Sequence, residues 1–350
     1  MKLIISDTHY HKFNTFSKTL PSGLNSRLHE TIEATKEAVE FAVDNDCDEV
    51  IHTGDCFHVR GSISPTVLNP VLDLYRWIIE EKGLKVTMIA GNHDLESRHS
   101  EELSNTAAAL KSVGVEVVTG YLVRSDAVFI SWFPTKDELF SQIKSIEGKS
   151  KDKTLYLHAP LNEVISGIPD NGIDAKDLET LGYQKVFCGH YHNHKNFNDK
   201  VVSVGSLTHQ NFGDIHSTAG FVLYNEKTGE IQQHQTSAPK FVDTRHIDPD
   251  KFEEAVDGNY VRCRLEEATD EEILEMQVAL ESMGAKGYIV SRDRNPKTSA
   301  TARKSSVSKS SVTIQMSVQD WIKAKSYSTE VEAAVIAESL KILEQIDEVH

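Results

Sequence analysis

The sequence predicts an α/β protein built on a mainly parallel sheet. Short runs rich in β-branched and aromatic residues recur along the first half of the chain, as is typical of buried strands. Helical patterns lie between the first of these runs, and strands that alternate with helices form parallel sheets with helices on their faces. Each run is followed by polar residues of types that bind metals. These residues fall at the carboxyl ends of the strands, where such sheets bind ligands.

The strands and helices are predicted from the spacing of apolar residues. Two helices are expected, over residues 25–43 and 66–81, because apolar residues recur there at helical spacing. Five short strands are expected, each ending beside a polar motif. They cover residues 2–6, 49–53, 86–90, 154–157 and 185–188.

Five polar motifs follow these strands in a fixed order. Taken singly, a Gly-Asp or a His-x-His is usually structural or accidental, and Asn-His-Asp alone fits a turn with an N-cap. Five coincidences at five strand ends would be needed to produce the whole set, so we interpret it as one site. The motifs are Asp7-Thr8-His9, Gly54-Asp55, Gly91-Asn92-His93-Asp94, His158 and Gly189-His190-Tyr191-His192.

The ligand types in this set predict that two metal ions hydrolyse a phosphate ester. Mixed carboxylate, amide and imidazole ligands suit manganese, iron or zinc better than calcium or magnesium. Two ions roughly 3.5–4 Å apart can share a carboxylate and a hydroxide, and Asp55 is the best candidate for the shared carboxylate. His93 is a candidate acid for the leaving oxygen, with Asp94 orienting its ring. His58 lies one turn past Asp55 and could reach the phosphate, whereas most other histidines are interpreted as surface or supporting groups.

The motifs together resemble those of the calcineurin-like metallophosphoesterase superfamily. Gly-Asn-His-Asp in place of Gly-Asn-His-Glu, and the absence of Asp-Arg-Gly after Gly54-Asp55, argue against its protein phosphatase branch. The chain is most similar to SbcD-type nuclease subunits, which include bacterial, phage and eukaryotic double-strand-break nucleases. This finer likeness rests on residues 54–60, on residues 205–208 with 212–214, and on the domain order that follows; it covers about residues 1–225.

This resemblance implies a two-sheet metallophosphoesterase sandwich flanked by helices and a role for each ligand. His93 would be the acid or would stabilise the transition state, and His58 matches a second active-site histidine that some members replace by Asp. One metal ion would be held by Asp7, His9, Asp55 and His192. The other would be held by Asp55, Asn92, His158 and His190.

A hairpin is expected to complete the catalytic domain. Residues 219–235 contain two strand patterns joined by a turn that includes Gly229. We expect this hairpin to close the second sheet of a catalytic domain that covers residues 1–238.

A small α+β unit is predicted over residues 239–292. A strand over residues 259–265 precedes a helix that Thr269 caps together with Glu272, and a return strand covers residues 286–291. The unit is placed like the capping domain with which SbcD-type nucleases hold DNA over the metal site. As a bare module it is equally compatible with a structural appendix.

The last part of the chain is interpreted as a tether and a partner-binding segment. Residues 293–311 are basic and have almost no apolar side chains, which indicates a flexible linker that either contacts DNA or is only solvated. Residues 312–350 are apolar and acidic, and an amphipathic helix begins near Ser328 or Thr329. This helix could fold back on its own chain. The resemblance instead implies that it binds the coiled-coil base of an SbcC-type ATPase.

Composition limits the class of protein. The chain has 350 residues, enough for two domains and a sizeable core, and a formal net charge of −16. Its four cysteines form no Cys-x-x-Cys pair and no apolar run approaches a membrane span, so we expect a soluble, cytoplasmic protein. Negative charge disfavours DNA binding unless metal ions and a partner supply positive charge. The alternative is that the substrate is not a polymer.

Three hypotheses follow from these patterns. The leading one is a manganese-dependent nuclease subunit that acts as an exonuclease on double-stranded DNA and as an endonuclease on single strands or hairpins. An SbcC-type ATPase would gate it in recombination, repair or phage DNA processing, and the resemblance implies a homodimer within a heterotetramer. The second is a phosphatase or phosphodiesterase of nucleotides or small esters, which the segments after residue 240 do not favour. The third is a non-catalytic scaffold, and the intact ligands count against it.

Overall fold

The fold is a sandwich of two six-stranded sheets with a smaller, three-stranded sheet beside it. The computed structural model describes the chain in five stretches. They are residues 1–97, 104–146, 152–165, 167 and 172–293. The chain from Met1 to Asp293 forms one unit, and the expected two-sheet sandwich flanked by helices is confirmed.

The first sheet carries three of the predicted ligand-bearing strands at its centre. These three strands pair in parallel, so their carboxyl ends lie at the same edge of the sheet. From edge to edge the sheet contains β12 (Glu230–Gln235), β11 (Gly220–Asn225), β1 (Lys2–Ile5), β2 (Glu49–His52), β3 (Lys85–Ile89) and β4 (Glu116–Val118).

The second sheet carries the other two ligand-bearing strands. These two strands also pair in parallel, with His158 opposite Gly189 at the end of the ladder. From edge to edge the sheet contains β5 (Tyr121–Val123), β6 (Ala127–Ile130), β7 (Thr154–His158), β8 (Lys185–Gly189), β10 (Val201–Ser203) and β9 (Lys195–Phe197).

Aliphatic side chains of the first sheet meet aromatic side chains of the second in the interior of the sandwich. Ile4, Ile51 and Ile89 are almost fully buried there. Phe129 and Tyr156 lie in the same cluster, with ring centroids 5.1 Å apart and nearly parallel planes. Because successive side chains of a strand point to opposite faces, the alternate residues of these strands pack against the outer helices.

Helices cover the outer faces of the sandwich. The first helix begins after Asn25, whose side chain accepts hydrogen bonds from two backbone amides. The second predicted helix reaches its expected end at Glu81, and its last turn, Trp77–Glu81, is π-helical and not α-helical. No helix in the described part of the chain is long and apolar enough to cross a membrane. The helices of the sandwich are α1 (Ser26–Asp44), α2 (Pro65–Arg76), a 3₁₀ helix (Thr106–Val113), α3 (Lys136–Ser145) and α4 (Ala175–Glu179).

A buried ion network joins the two sheets at the amino ends of their strands. Arg124, which follows β5, donates to Glu49 Oε1 at 2.7 Å and to Thr87 Oγ1 at 2.6 Å. Lys2 Nζ donates to the other Glu49 oxygen at 2.9 Å. Burial raises the pKa of the Glu49 carboxyl, but these bonds outweigh burial and hold that pKa below its usual value. The network therefore clamps one edge of the sandwich.

The strand predictions agree with the structure, and one hairpin prediction does not. Each predicted strand forms, with its ends within one residue of the expected positions. The hairpin of β11 and β12 also forms, but β11 pairs antiparallel with β1. It therefore extends the first sheet, and the expectation that it closes the second sheet is wrong. A hairpin sequence determines its own turn, whereas its partner strand lies more than 200 residues away.

The third sheet contains the predicted strand–helix–strand unit and one further strand. Its strands β13 (Phe241–Asp243), β14 (Tyr260–Glu266) and β15 (Gly287–Asp293) are all parallel. Helix α5 (Phe252–Val256) precedes β14, and α6 (Asp270–Ser282) connects β14 to β15. The capping box of α6 forms as predicted, since Thr269 and Glu272 each accept from the backbone amide of the other.

Three domain assignments stay predictions. The basic linker and the partner-binding segment at 312–350 lie beyond Asp293, outside the described residues. The interpretation of residues 239–292 as a separate capping domain is an assignment of role, which the fold alone does not test.

The ion network yields a stability prediction. Arg124→Met leaves Glu49 with one cationic partner in a buried site, so the free energy of unfolding should fall by about 3 kcal/mol. Urea unfolding followed by circular dichroism measures the change. Arg76→Met is the matched control: its exposed pair with Asp73 should contribute less than about 0.5 kcal/mol. An equal fall in the free energy of unfolding in both variants would contradict a special stabilising role for Arg124.

Candidate metal centre

The predicted ligands converge where the carboxyl ends of β1, β2, β3, β7 and β8 meet. The first two turns are tied together by backbone hydrogen bonds, from Asp7 N to Gly54 O and from His9 N to Asp55 O, each 3.0 Å long. Both turns use strained backbone: φ is 49° at Asp7, 44° at His9 and 56° at Asp55. The left-handed conformation turns each side chain out of the strand and into the crevice.

Three glycines allow these turns to approach one another. A Cβ on Gly91 would lie 2.2 Å from an oxygen of Asp55, and a Cβ on Gly54 would lie 2.4 Å from the ring of His158. A Cβ on Gly189 would lie 2.3 Å from the Ser6 hydroxyl. Each contact is shorter than any real Cβ contact, so the side chains around the site occupy space that only glycine leaves free.

One group of ligands joins Asp7, His9 and His192, whose ligand atoms all lie within 4.8 Å of one another. The Nε2 atoms of His9 and His192 are 3.3 Å apart. His192 Nδ1 lies 3.0 Å from the Asp214 carboxylate, which accepts its proton and leaves Nε2 for a cation. This group contains three of the four residues in the first ligand set that the resemblance implies. The fourth, Asp55, has Oδ2 3.7 Å from His9 Nε2.

A second group joins Asp55, His158 and His190. His158 Nδ1 donates to the Thr53 carbonyl at 2.8 Å, so Nε2 faces Asp55 Oδ2 at 3.4 Å. Asn92 Oδ1 completes the group, 3.2 Å from His158 Nε2 and 3.0 Å from His190 Nδ1. The structure thus brings all seven predicted ligands together in two adjacent groups, with Asp55 near both.

The charges in this crevice require cations. Asp7 and Asp55 are buried, and burial raises the pKa of Asp7. Burial also raises the pKa of Asp55, but His158 and His9 outweigh it and hold that pKa well below its usual value. Burial lowers the pKa of His158, yet Asp55 and Asp7 raise it to about 9. No lysine or arginine pairs with these carboxylates among the described residues, so their charge must be balanced by protonated His158 or by cations bound in the crevice.

The ligand atoms fit two metal ions. Asp7 Oδ1 is buried and accepts no hydrogen bond from the described residues. Nε2 of His9 and Nε2 of His192 face one another across 3.3 Å, and ring nitrogens of His158 and His190 face the Asn92 oxygen. Nitrogen and oxygen donors arranged around a shared carboxylate are a donor set for divalent transition metals.

His93 lies beside the ligands in an orientation fixed by the main chain. Its backbone amide donates to Asp55 Oδ1 at 2.7 Å, and its ring Nδ1 donates to the His58 carbonyl at 2.6 Å. The ring stacks on the His58 ring, with centroids 5.5 Å apart. With Nδ1 engaged, Nε2 is the nitrogen available to a substrate oxygen.

Asp94 has a different contact set from the one we expected. Its carboxylate accepts from the backbone amides of Cys56, Phe57 and Gly91, whereas the His58 carbonyl orients the His93 ring. The prediction that Asp94 orients that ring is therefore wrong: the carboxylate points back into the turns. Burial, and then the charge of Asp55, raise the pKa of Asp94 to about 7.

His58 lies at the rim of the site. Its Nδ1 is 3.4 Å from Nδ1 of His9, and its ring lies 5.0 Å from that of His11 and 5.5 Å from that of Phe13. Burial, followed by the nearby His11 and His93, lowers its pKa to about 4. A neutral imidazole at this rim stays a candidate for contact with the phosphate.

Two supporting residues lie outside the predicted set of ligands and catalytic residues. Asp214 orients His192, and the only sequence signal for it was its place after the Gly-Ser loop. His52 was assigned a surface or supporting role, and it is fully buried: Nδ1 accepts from Gly54 N at 3.2 Å and Nε2 lies 3.0 Å from Thr8 Oγ1. His52 therefore links the turn that contains Thr8 to the turn that contains Gly54.

This fold and this ligand set define a calcineurin-like phosphoesterase. The model of that family matches residues 3–194, more than half of the chain, and the chain therefore belongs to the family. Members use a dinuclear metal centre, which the histidine and aspartate groups of this chain fit. The protein is a phosphoester hydrolase.

Among curated proteins, the chain is similar to a DNA break repair protein and to an exonuclease subunit. It is 24% identical over 287 residues to the DNA double-strand break repair protein Mre11 of Methanocaldococcus jannaschii, covering 74% of this chain and 73% of that protein. It is 24% identical over 206 residues to exonuclease subunit 1 of Enterobacteria phage T4, covering 56% of this chain and 58% of that protein. Among solved structures, a dimetal phosphatase from Danio rerio is 11% identical, covers 68% of this chain and 96% of that chain, and has a TM-score of 0.42, too low to inform the function.

The close approach at Gly91 yields a prediction. In Gly91→Ala the new Cβ must displace the Asp55 carboxylate, so Mn²⁺ affinity should fall by about 10- to 100-fold. Isothermal titration calorimetry with MnCl₂ measures the change. In the control Gly182→Ala an added Cβ meets nothing within 4 Å, so affinity should stay unchanged despite the strain of a φ of 81°. An unaltered isotherm for a folded Gly91→Ala protein would exclude Asp55 as the shared ligand.

Proposed function

We propose that this chain is the nuclease subunit of a DNA-processing complex. It would hydrolyse phosphodiester bonds as an exonuclease on double-stranded DNA and as an endonuclease on single strands or hairpins. The observation that carries the proposal is the two-group ligand cluster with His93 at its rim, in a chain similar to two named nuclease or break-repair proteins. Recombination, repair or phage DNA processing is the proposed context.

The two metal ions, most suitably manganese, would be held by the ligands described above. The first group is Asp7, His9, Asp55 and His192, and the second is Asp55, Asn92, His158 and His190. When bound, the metals supply Lewis acidity and lower the pKa of water, which makes a nucleophile available at neutral pH.

The protein's own groups set orientation and proton transfer. Asp214 holds His192 in the tautomer whose Nε2 points into the crevice. The His58 carbonyl accepts the Nδ1 proton of His93, so Nε2 faces the substrate. In the doubly protonated, cationic form of the ring, Nε2 would donate its proton to the leaving oxygen and the ring would become neutral. Loss of the alkoxide's negative charge by that protonation makes departure of the sugar oxygen easier.

A polymeric substrate is supported by the third sheet. A small ester needs only the crevice, whereas this chain adds three parallel strands packed against the loop that precedes α1. Arg264 lies on β14, half exposed, and makes no ion pair within the described residues. The net charge of −16 favours the second candidate, a phosphatase or phosphodiesterase of small esters, and the experiment below separates the two.

The proposed assembly includes a partner. The apolar spacing of residues 312–350 suits a helix that binds an SbcC-type ATPase, and two copies of this chain would join two ATPase subunits. A partner that carries positive charge would offset the acidity of this chain on DNA.

The role of His93 is tested by substitution. His93→Ala should lower cleavage of linear double-stranded and hairpin DNA by about 10²- to 10⁴-fold, because the leaving oxygen loses its proton donor. Cleavage is measured on end-labelled DNA with MnCl₂, and hydrolysis of bis-p-nitrophenyl phosphate is measured in parallel. His29→Ala on the exposed face of α1 is the control and should retain activity.

One outcome would count against the proton donor and another against the nuclease. Equal DNA cleavage by His93→Ala and wild type would exclude His93 as the acid and leave the nuclease proposal intact. Strong hydrolysis of the small ester without DNA cleavage, repeated with an SbcC-type partner present, would replace the nuclease by the small-ester phosphodiesterase.

Metal removal makes a separate prediction. EDTA should abolish hydrolysis, since the buried carboxylates then lack their cations, and Mn²⁺ should restore more activity than Mg²⁺ or Ca²⁺ at equal concentration. Activity on hairpin DNA after dialysis and metal add-back gives the order. Full activity in EDTA, or restoration by Ca²⁺ alone, would refute a nitrogen-and-oxygen transition-metal centre.

A further inference from the structure

Arg27, in the first turn of α1, is a buried cation with an unusual set of neighbours. Its residue is 6% exposed, and no carboxylate pairs with it among the described residues. Its guanidinium lies over the ring of Phe13 at 4.0 Å and near the rings of Phe241 at 4.9 Å and Tyr260 at 5.6 Å. Phe13 borders the catalytic rim, and the other two rings belong to the third sheet, so one charge contacts both parts of the molecule.

A chain of hydrogen bonds runs from Arg27 to a metal ligand. Arg27 Nη2 donates to the Gln210 carbonyl at 2.7 Å. The amide of Gln210 donates to Asp214 Oδ2 at 2.7 Å, and the other Asp214 oxygen lies 3.0 Å from His192 Nδ1. Arg27 thus holds the Gln210–Asn211 peptide, and the amide of that peptide, Asn211 N, also donates to Asp214 Oδ2 at 3.2 Å. Asp214 in turn orients the ring of His192. A charge-assisted bond to a carbonyl is stronger than a neutral one, which suits this positioning role.

The third sheet acts on the same segment. Phe241 N donates to His209 Nδ1 at 3.1 Å, and His209 directly precedes Gln210. The sheet is fastened beside Arg27 by Phe16, whose ring stacks on Tyr260 with centroids 5.3 Å apart. Glu30 adds polar contacts, because it accepts from the Tyr260 hydroxyl. Any shift of this sheet therefore alters the aromatic walls around Arg27 and the backbone it holds.

We propose that Arg27 is a positioning residue that couples the seating of the third sheet to the geometry of the metal ligand His192. With the sheet seated, three rings and the Gln210 carbonyl hold the guanidinium in one orientation. With the sheet displaced, Phe241 and Tyr260 leave that cation, and the Asp214–His192 pair loses its support. The inference rests on the metal assignment of the proposed function, and it makes the occupancy of one metal site depend on the third sheet.

The planar guanidinium is essential to this role. Arginine presents several donors in a rigid fork and stacks on aromatic faces, whereas lysine is a single point charge on a flexible stem. Arg27→Lys keeps the charge and much of the volume but cannot hold the Gln210 carbonyl and stack on Phe13 at the same time. The substitution therefore separates orientation from charge.

The test is Mn²⁺ binding to the full chain, measured by isothermal titration calorimetry with MnCl₂ after EDTA treatment and dialysis. In Arg27→Lys one of the two sites should weaken by about 10- to 100-fold while the other stays within about twofold. The matched control is Arg76→Lys, the same change at an exposed helical position, and it should leave both sites unchanged. Thermal unfolding of each apoprotein is recorded beside the titration.

The outcomes separate this inference from the function it rests on. Unchanged Mn²⁺ sites in Arg27→Lys, or an equal loss at both sites with a lower melting temperature, would overturn the positioning role and leave the nuclease proposal intact. A wild-type chain that binds fewer than two Mn²⁺ ions would overturn the metal assignment itself, and the inference with it. If Arg27→Lys does not fold, Phe13→Leu tests the same contact at a half-buried position, and the same one-site loss is expected.

Discussion

Two carboxylates buried at the carboxyl edge of the sandwich impose the constraint that the surrounding structure satisfies. Asp7 and Asp55 are almost fully removed from water, and an unpaired charge in such a place is strongly unfavourable. No lysine or arginine pairs with either among the described residues; imidazoles from several strands surround them. The turns, the glycines and the supporting hydrogen bonds can all be understood as means of bringing nitrogen ligands, and through them cations, to these two groups.

Stability and chemistry lie at opposite edges of the same sandwich. The amino edge is closed by Arg124 and Glu49, a saturated network in which each charge has partners. At the carboxyl edge one buried charge is not fully paired. No group in the described chain donates a hydrogen bond to Asp7 Oδ1. Because the parallel strands are rigid between these edges, a clamp at one end limits how far the ligand turns at the other end can separate.

The strands, the convergence of the proposed ligands and the overall class were predictable because each signal is local: an apolar run, then a side chain of a type that binds metals. The sheet joined by β11, the backbone contacts of Asp94 and the support of His192 by Asp214 were not predictable in this way. Each depends on residues brought together from distant parts of the chain. Arg27 has no motif at all, since its partners come from four segments that only the fold brings together.

At Asp7, His9 and Asp55 the left-handed backbone lowers stability, yet the same residues supply the proposed metal ligands. Stability and metal binding therefore favour different residues at these three positions. An ordinary side chain in that conformation costs roughly 1–2 kcal/mol, and glycine would relieve it. Glycine would also delete the ligand. Substitutions selected for stability alone would therefore replace these three residues first and remove the metal site. Non-glycine residues with left-handed backbone at these three positions therefore indicate function, even in a relative whose reaction has not been measured.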